Sequence, residues 1–189
     1  GYTRYIQLQE QLDFKKSLES EYAVSARIVG KDPSFWFKTI IVDRGENDGV
    51  TEGMVARTQD GVVGQVIHTS DNYAKLLLAN APSSAIDCMV QKNRVRGILK
   101  GRGEKGYSLH YVLKKADVAV GDQIITAGIS GVFKTGVPVG IVSAVRERRR
   151  GMFLEVDVEP SVDFQRLETV IISVSEKQLI KKEMEIEVR

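Results

Sequence analysis

The spacing of apolar residues divides the chain into a helical N-terminal segment and a longer β-rich remainder. In residues 1–22, apolar side chains recur at helical spacing among the helix formers Gln, Glu, Leu and Lys. We predict an amphipathic helix over residues 1–23, either the end of a coiled coil or a helix packed on its own domain. A strict heptad fails after Leu12. The residues predicted to mediate self-association are Tyr5, Leu8, Leu12, Leu18 and Tyr22.

From residue 24 onward, apolar and polar residues alternate with a period of two, which is typical of half-buried strands. The alternation is clearest in residues 107–113 and 152–158, where it places Tyr111 and Met152 on the apolar faces of their strands. Turns such as Asp60-Gly61 separate the strands. The predicted strands are residues 24–30, 37–43, 54–58, 62–69, 73–79, 86–90, 95–100, 107–113, 123–126, 139–145, 152–158 and 169–174.

Many short strands separated by turns indicate a mainly β fold, in which the helix is followed by two small six-stranded β-barrel-like domains. Six predicted strands lie between residues 51 and 115, and six lie outside that range. We predict a discontinuous first β-domain from residues 24–50 and 116–175, with the second, residues 51–115, inserted in it. A sequential split near residue 115 is the alternative. Residues 176–189 form a tail, either a frayed end or a short helix.

One stretch, residues 121–142, places five glycines and one proline between two apolar strands. Such residues fix the path of a loop, because glycine adopts conformations closed to other residues and proline fixes φ. The stretch matches residues 50–66 as a weak internal repeat, with an insertion at residues 127–135. The residues of this predicted fold signature are Gly121, Asp122, Thr126, Gly128, Gly131, Gly136, Pro138 and Gly140.

Two apolar clusters are candidate partner-binding surfaces. Ile129, Val132 and Phe133 lie at the tip of the glycine-rich stretch, where they either pack inward or contact a partner. Phe35 and Trp36 either anchor a partner or fill the seam between the helix and a barrel.

Composition narrows the class of protein without assigning a function. The chain has 189 residues, 42% hydrophobic and 28% charged, and its net charge of +2 does not by itself indicate a polyanion binder. The only cysteine, Cys88, excludes an internal disulfide framework, and its apolar alternation predicts a buried thiol. No apolar run reaches the roughly 18–20 residues that span a bilayer, and these residues show no signal-peptide pattern. The chain starts in mid-helix without Met, which indicates a segment of a longer protein.

The sequence predicts no catalytic, metal or cofactor site. The histidines, His68 and His110, offer too few nitrogen or sulfur ligands for a metal. The order His68, then Asp87 or Asp117, then Ser130 matches that of double-β-barrel serine proteases, which is the alternative function. A triad is defined by geometry, however, and this one rests on order alone.

Two basic clusters leave polyanion binding as a further alternative. They lie in one predicted hairpin and one predicted turn, without the interleaved aromatic residues that stack on single-stranded nucleic acid. No nucleic-acid partner is therefore expected, and a solvated, solubilising role is the other interpretation. The basic residues concerned are Arg94, Arg96, Arg146, Arg148, Arg149 and Arg150.

An ordered series of short motifs runs through most of the chain. It includes Asp32-Pro33-Ser34-x-Trp36, then Asp48-Gly49-Val50-x-x-Gly53-Met54, then Gly121-Asp122-x-Ile124-x-Thr126-x-Gly128. It continues as Gly131-x-Phe133-x-x-Gly136-x-Pro138-Val139-Gly140. This series resembles the extracytoplasmic part of the MreC family of rod shape-determining proteins. Ala127 and Lys134 depart from the family pattern, in which Ser and Pro are frequent at these positions.

The resemblance implies a non-enzymatic scaffold that regulates peptidoglycan synthesis during cell elongation. It implies self-association as a dimer or filament, and binding to an elongation-specific class B penicillin-binding protein, in a complex with MreD, MreB and RodA. It also implies a location at the periplasmic face of the inner membrane, with the parent protein anchored by an N-terminal helix that this segment lacks. It implies no catalytic residues and no cofactor.

Overall fold

The computed structural model describes residues 1–32, 34, 36–128 and 131–188, except for the side chains of residues 14–21. Two α-helices, α1 (Tyr2–Glu21) and α2 (Glu176–Glu187), flank the strands of this described part. The strands are β1 (Val24–Asp32), β2 (Thr39–Val42), β3 (Val55–Thr58), β4 (Gly61–Thr69), β5 (Ala74–Leu78), β6 (Ala85–Val90), β7 (Arg96–Gly101), β8 (Tyr107–His110), β9 (Gln123–Thr126), β10 (Pro138–Glu147), β11 (Leu154–Pro160) and β12 (Thr169–Ser173).

The strands close into two six-stranded antiparallel barrels, which confirms the predicted fold class. The first barrel has the order β1-β12-β3-β4-β5-β2, and the second has the order β10-β11-β8-β7-β6-β9. Each of the twelve predicted strand segments overlaps one observed strand. Closure pairs every strand of each described sheet on both sides, which disfavours recognition by strand addition.

The boundaries between the two barrels, as defined by strand pairing, differ from those predicted from the sequence. β3, β4 and β5 belong to the first barrel, and β9, β10 and β11 belong to the second. The predicted boundaries at residues 51 and 116 are therefore wrong. Counting strands carries no information on pairing, and the first barrel is closed by β1 and β12, from opposite ends of the chain. The second barrel, residues 85–160, lies within the chain of the first.

The two barrels pack directly on each other. Val55 and Val62 of the first barrel join the buried cluster of the second, and Phe164 contacts the clusters of both. At Gly61 a β-carbon would lie 2.4 Å from the carbonyl oxygen of Pro138, so the two backbones approach too closely for any side chain there. The Gly103 N–H donates to the carbonyl of Asn80 at 2.8 Å, and this bond ties the second barrel to the connection that enters it.

Helix α2 covers the first barrel and also reaches the second. It begins with a capping box in which the Ser175 hydroxyl accepts from the Gln178 N–H, while the Gln178 side chain accepts from the Ser175 N–H. Leu179 is fully buried in the first-barrel core. The Lys177 N–H donates to the carbonyl of Gly131 at 2.9 Å, in the glycine-rich stretch of the second barrel. The tail is thus a docked helix rather than a frayed end.

Candidate interaction surfaces

Helix α1 presents an apolar stripe to solvent. Tyr5, Leu8 and Leu12, spaced three and four residues apart, are all exposed. Tyr2 and Ile6 are exposed as well. Apolar side chains aligned along one face of an exposed helix form a surface on which a second helix can pack. The self-association of these residues stays a prediction.

The end of α1 is occupied within its own chain. Tyr22 packs partly buried against the first-barrel core, and the Lys182 ammonium lies 4.2 Å from the centroid of its ring. This cation–π contact joins the end of α1 to α2. Tyr22 is therefore not on the exposed stripe with which the sequence grouped it. The side chain of Leu18 lies outside the described residues.

An aromatic pair lies exposed between β1 and β2. Trp36, which is 54% exposed, meets Phe37 edge to face with ring centroids 6.4 Å apart. The Ser83 hydroxyl donates to the Trp36 carbonyl at 3.0 Å, which fixes this loop to the connection between the barrels. A large aromatic side chain held outward on an anchored backbone is typical of a partner-binding residue. Phe35 lies outside the described residues.

In the glycine-rich stretch, Thr126 is the hydrogen-bonding centre. Its fully buried hydroxyl donates to the carbonyl of Lys134 and accepts from the Val137 N–H at 2.9 Å. Its backbone carbonyl accepts from the Gly136 N–H at 2.9 Å. These bonds fold the loop back onto the end of β9, so the role of Thr126 is structural.

Two glycines of the stretch are required by close approaches. Gly128 has φ of +75°, and a β-carbon there would lie 2.4 Å from the Thr135 hydroxyl oxygen. A β-carbon at Gly140 would lie 2.2 Å from the carbonyl oxygen of Glu159 across the β10–β11 pair. Positive φ angles also occur at Gly121, Gly131 and Gly136.

An ion pair anchors the entrance to the stretch. The Asp122 carboxylate accepts from the Ala119 N–H at 2.8 Å and lies 3.0 Å from the Lys92 ammonium. Partial burial alone would raise the pKa of Asp122, but the Ala119 hydrogen bond and Lys92 together hold it below its usual range. The hydrogen bond to Asp122 raises the pKa of Lys92. This pair joins the β6–β7 turn to the loop before β9.

The apolar tip of the stretch packs inward. Phe133 is 5% exposed and lies in the second-barrel core, and Val132 packs partly buried against the same core. The Glu176 N–H donates to the Val132 carbonyl at 3.3 Å, so α2 covers the tip. A buried side chain cannot contact a partner, and the prediction of Phe133 as a partner-binding residue is wrong. Ile129 lies outside the described residues.

Two of the four arginines in the basic cluster on the β10–β11 hairpin, Arg146 and Arg148, pair with carboxylates. Arg146 donates two hydrogen bonds to the Asp157 carboxylate, both of 2.9 Å, and a third to Glu155. These bonds to Asp157 and Glu155 raise the pKa of Arg146. Arg148 also pairs with Glu155. Neutralisation across the hairpin weakens the case for a polyanion site, while Arg94, Arg96, Arg149 and Arg150 remain exposed.

The second barrel has a concavity that the sequence does not predict. It measures about 490 Å³ and is lined by residues of β8, β10 and β11 and the segments that extend them. Tyr111 and Met152 are 54% and 67% exposed, although their alternation placed them inside. β8 ends at His110, and Tyr111 follows with φ of +67°, which turns its side chain away from the strand pattern. We call this surface the aromatic concavity, with the lining residues Tyr111, Arg148, Arg150, Met152 and Phe153.

The residues of the hypothetical protease triad have other partners. The imidazole of His68, on the first barrel, lies 3.8 Å from the Glu52 carboxylate. Asp117 pairs with Lys92 at 3.5 Å. Ser130 lies outside the described residues. The structure therefore gives no further support to a serine protease, which rests only on the order of these residues in the sequence.

Cys88 and His110 both belong to strands of the second barrel. Cys88 is fully buried, and burial raises the pKa of its thiol, so that the reactive thiolate is disfavoured. His110 shares a hydrogen bond of 2.8 Å with Ser108, and burial, with a smaller effect of Lys100, lowers its pKa. Within the described residues, no three His, Cys, Asp or Glu side chains group as metal ligands. Among the helices described, none is both long and apolar enough to cross a membrane.

Comparison with known proteins places this architecture in a family. The family profile described as "Rod shape-determining protein MreC, barrel core" matches residues 28–174, which include strands of both barrels. The cell shape-determining protein MreC of Haemophilus influenzae is 29% identical over 153 residues. That match covers 80% of this chain and 44% of the relative, so the chain spans less than half of that protein.

Solved structures have the same fold. MreC from Pseudomonas aeruginosa is 30% identical with a TM-score of 0.76, covering 79% of this chain and 97% of that one. A structure of the major periplasmic domain from the cell shape-determining filament MreC gives a TM-score of 0.69 at 21% identity, covering 81% and 95%. A complex between a penicillin-binding protein (PBP2) and MreC from Helicobacter pylori gives a TM-score of 0.62 at 15% identity, covering 80% and 98%. The last two likenesses concern the fold alone. With its profile match across both barrels, this chain belongs to the MreC family of rod shape-determining proteins.

Proposed function

We propose that this chain is part of a non-enzymatic scaffold of the cell-elongation machinery, which binds a class B penicillin-binding protein and thereby regulates peptidoglycan synthesis. The family match over residues 28–174 carries the proposal. A family member of the same fold occurs in a complex with the penicillin-binding protein PBP2. Binding would regulate the synthase by favouring one of its conformations, through a difference in affinity between them.

The partner surface that we assign to the synthase includes Trp36. Its ring is exposed beside Phe37, and the Ser83 hydrogen bond holds its backbone in place. Exposed aromatic side chains on a fixed backbone lose little conformational entropy on binding, which makes them frequent hot spots. Both barrels are closed, which leaves side-chain surfaces of this kind for recognition.

Pull-down of the elongation transpeptidase from the same organism by this chain tests the proposal. We expect Trp36→Ala to weaken binding by roughly tenfold or more, as for a hot-spot aromatic residue. Tyr73→Ala, another exposed aromatic residue of the first barrel, serves as the matched control and should bind normally. Failure of the unmodified chain to bind would refute the proposed function, whereas normal binding by Trp36→Ala would refute only the assigned surface.

Self-association through α1 is the second part of the proposal. Leu8 and Leu12 are exposed at i, i+4 spacing on the stripe that begins with Tyr5. Replacing both leucines by aspartate places charges on this face and should reduce the mass measured by sedimentation equilibrium to that of one chain. Replacing Gln7 and Gln11 by aspartate changes the charge equally on a neighbouring face and should leave the mass unchanged. An equal mass for both variants would refute association through this stripe.

The remaining parts of the proposal concern location and the larger complex. We infer that the domain lies at the periplasmic face of the inner membrane, in a single-pass parent protein, near MreD, MreB and RodA. A structure of similar fold is described as a periplasmic domain. In vivo crosslinking from Trp36 with a photoreactive amino acid would test the neighbours, and recovery of cytoplasmic proteins alone would refute the location.

A further inference from the structure

One end of the second barrel is formed by the turn of the β10–β11 hairpin and a neighbouring segment. The two strands pair out to Leu154, and residues 148–153 connect them. Residues 111–115 run alongside this connection, where the Lys114 N–H donates to the carbonyl of Met152 at 3.1 Å. We call residues 111–115 and 148–153 together the hairpin end. It forms one side of the aromatic concavity.

The hairpin end exposes large apolar side chains. Tyr111, Leu113 and Met152 are each more than half exposed, and Phe153 beside them is partly so. Val112, between Tyr111 and Leu113, is fully buried in the second-barrel core. The segment is therefore apolar on its outer face as well as its inner one. An outer face usually carries polar residues, so a cluster of exposed apolar residues there indicates a contact surface.

Contacts within the hairpin end fix the arrangement of these side chains. The rings of Phe153 and Tyr111 meet edge to face with centroids 5.5 Å apart, and Leu113 forms a β-bridge with Phe153. Tyr111 has a φ of +67°, which is unfavourable for an aromatic residue and persists only where the surroundings fix it. The apolar surface is therefore preformed in the unbound chain.

Positive charge surrounds the apolar side chains. The two segments of the hairpin end read YVLKK and RRRGMF, so they contain five cationic residues and no carboxylate. Arg148 pairs with Glu155 of β11. Lys115, Arg149 and Arg150 are exposed, and no ion pair engages them in the part of the chain that the structure describes. The hairpin end thus combines exposed apolar groups with cations that have not been neutralised.

This combination fits the surface of an anionic bilayer. Aromatic and aliphatic side chains lie at the boundary between headgroups and acyl chains, and lysine and arginine beside them bind anionic headgroups. A protein partner fits less well, because the centres of protein interfaces are depleted of charged residues and lysine is depleted throughout them. Here two lysines and three arginines lie directly beside the apolar side chains.

We propose that the hairpin end binds the surface of a bilayer that contains anionic phospholipids. Met152 and Leu113 enter the boundary between headgroups and acyl chains, while Arg149 and Arg150 contact the lipid phosphates. The contact rests on the proposed location of the domain beside a membrane. It goes beyond that proposal because the second barrel itself touches the bilayer, which orients the domain relative to the membrane plane.

Sedimentation with lipid vesicles tests the role of charge. The full chain should bind vesicles of phosphatidylglycerol and phosphatidylcholine more tightly than vesicles of phosphatidylcholine alone, and less tightly as salt rises. Each basic residue near an anionic surface contributes about fivefold in affinity, so Arg149→Gln with Arg150→Gln should weaken binding roughly 25-fold. Lys31→Gln with Lys75→Gln removes two exposed cations of the first barrel and is the matched control. Equal affinity of the two double variants would overturn the proposal.

A second pair of variants tests the apolar contact. Leu113→Gln with Met152→Gln should weaken vesicle binding by roughly tenfold or more, because both side chains leave water on insertion. Ile67→Gln with Ile171→Gln changes two exposed apolar residues of the first barrel and should bind as the unmodified chain does. Binding that is normal in the first pair would place the membrane contact on another surface, such as the α1 stripe, and would contradict the proposal.

A fluorophore at position 152 reports insertion directly. Met152→Cys, labelled with an environment-sensitive dye, should emit at shorter wavelength on the phosphatidylglycerol vesicles, whereas a label on Lys75→Cys should not respond. Cys88, the only cysteine of the chain, is fully buried and stays unlabelled. Vesicle binding without a spectral change at position 152 would exclude insertion of the hairpin end.

Two further measurements separate a bilayer from other ligands and from the synthase. Glycerol 3-phosphate in excess should not displace the chain from vesicles, and displacement would indicate a site for a free phosphate instead of a bilayer. Leu113→Gln with Met152→Gln should still bind the transpeptidase. Lost transpeptidase binding with unchanged vesicle binding would identify a protein contact and refute the lipid proposal. Vesicle binding by an unmodified chain that fails to bind the transpeptidase would instead refute the proposed function alone.

Discussion

Replacing Phe133 by alanine tests the structural role of the tip of the glycine-rich stretch. The ring is 5% exposed and packs with the second-barrel core beneath the N-terminus of α2. A buried aromatic side chain removes about 150–250 Å² from water. At about 25 cal/mol per Å², that area corresponds to roughly 4–6 kcal/mol.

The expected loss is smaller than this full transfer energy. Measured Phe-to-Ala changes in protein cores cost about 3–5 kcal/mol, and the cost falls where the surroundings can collapse into the cavity. Phe133 lies in a loop, which relaxes more readily than a strand. We therefore expect Phe133→Ala to lower the free energy of unfolding of the second barrel by about 3 kcal/mol.

Native-state hydrogen exchange locates the effect. Amides of β9 and β10 should exchange faster in Phe133→Ala, because these strands flank the stretch and share its core. Trp36→Ala is the control for an exposed aromatic residue, and its free energy of unfolding should change by less than about 0.5 kcal/mol. A loss below about 1 kcal/mol in Phe133→Ala, combined with weakened partner binding, would show that the tip is a contact surface and refute the packing argument.

Three further predictions concern stability. Gly140→Ala should destabilise the second barrel by about 1–3 kcal/mol or more, because its β-carbon would overlap the Glu159 carbonyl, and thermal unfolding measures this. Ser175→Ala should cost about 1 kcal/mol through loss of the helix cap, measured by denaturant unfolding followed at 222 nm. The lowered pKa of Asp122 stabilises the fold above the pKa of the unfolded state, and this contribution is lost as pH falls through the folded value. Unfolding midpoints across acidic pH should therefore depend less on pH in Asp122→Asn.

Each of these predictions has a clear contrary result. A stable Gly140→Ala variant would mean that the β10–β11 pair is wider than the structure shows. Ser175→Thr keeps a capping hydroxyl, so it should recover most of the loss, and a failure to do so would exclude capping as the cause. The same acid dependence in Asp122→Asn as in the unmodified chain would assign that dependence to other carboxylates, among them Asp43, whose pKa is lowered by the hydrogen bond from Arg27.

Local structure was readable from the sequence because each strand carries its own pattern. Alternation located the strands, and no information beyond a few neighbouring residues was needed. Assignment of strands to barrels failed because the pairing of β1 with β12 joins distant residues and leaves no local mark. The start of helix α2 is also marked in the sequence, because Ser175 and Gln178 have the spacing of a capping box.

The surfaces were less predictable than the strands. Tyr111 and Met152 were assigned inward by alternation, but alternation fails where a strand ends, and the positive φ of Tyr111 cannot be read from sequence. The neutralisation of Arg146 could have been predicted from the sequence, because Glu155 lies opposite Arg146 in the β10–β11 hairpin. Whether Phe133 packs inward depended on the path of the loop, which is fixed by bonds to Thr126.

The nesting of one barrel within the other has a consequence for the order of folding. During synthesis all six strands of the second barrel precede β12, so the second barrel can close while the first still lacks a strand. Domains generally fold as units as they emerge, which favours the second barrel as the earlier one.

Prior folding of the second barrel also makes closure of the first easier. Unfolded, residues 79–168 form one long loop between β5 and β12. Once the second barrel has folded, only the connectors, residues 79–84 and 161–168, remain flexible. The flexible length to be closed is thus halved roughly two to three times over. Each halving lowers the entropic cost of closure, and together they lower it by about 1.5 kcal/mol. A substitution that slows folding of the second barrel should therefore delay the first as well, and leave β1 to β5 exposed to aggregation in the interval.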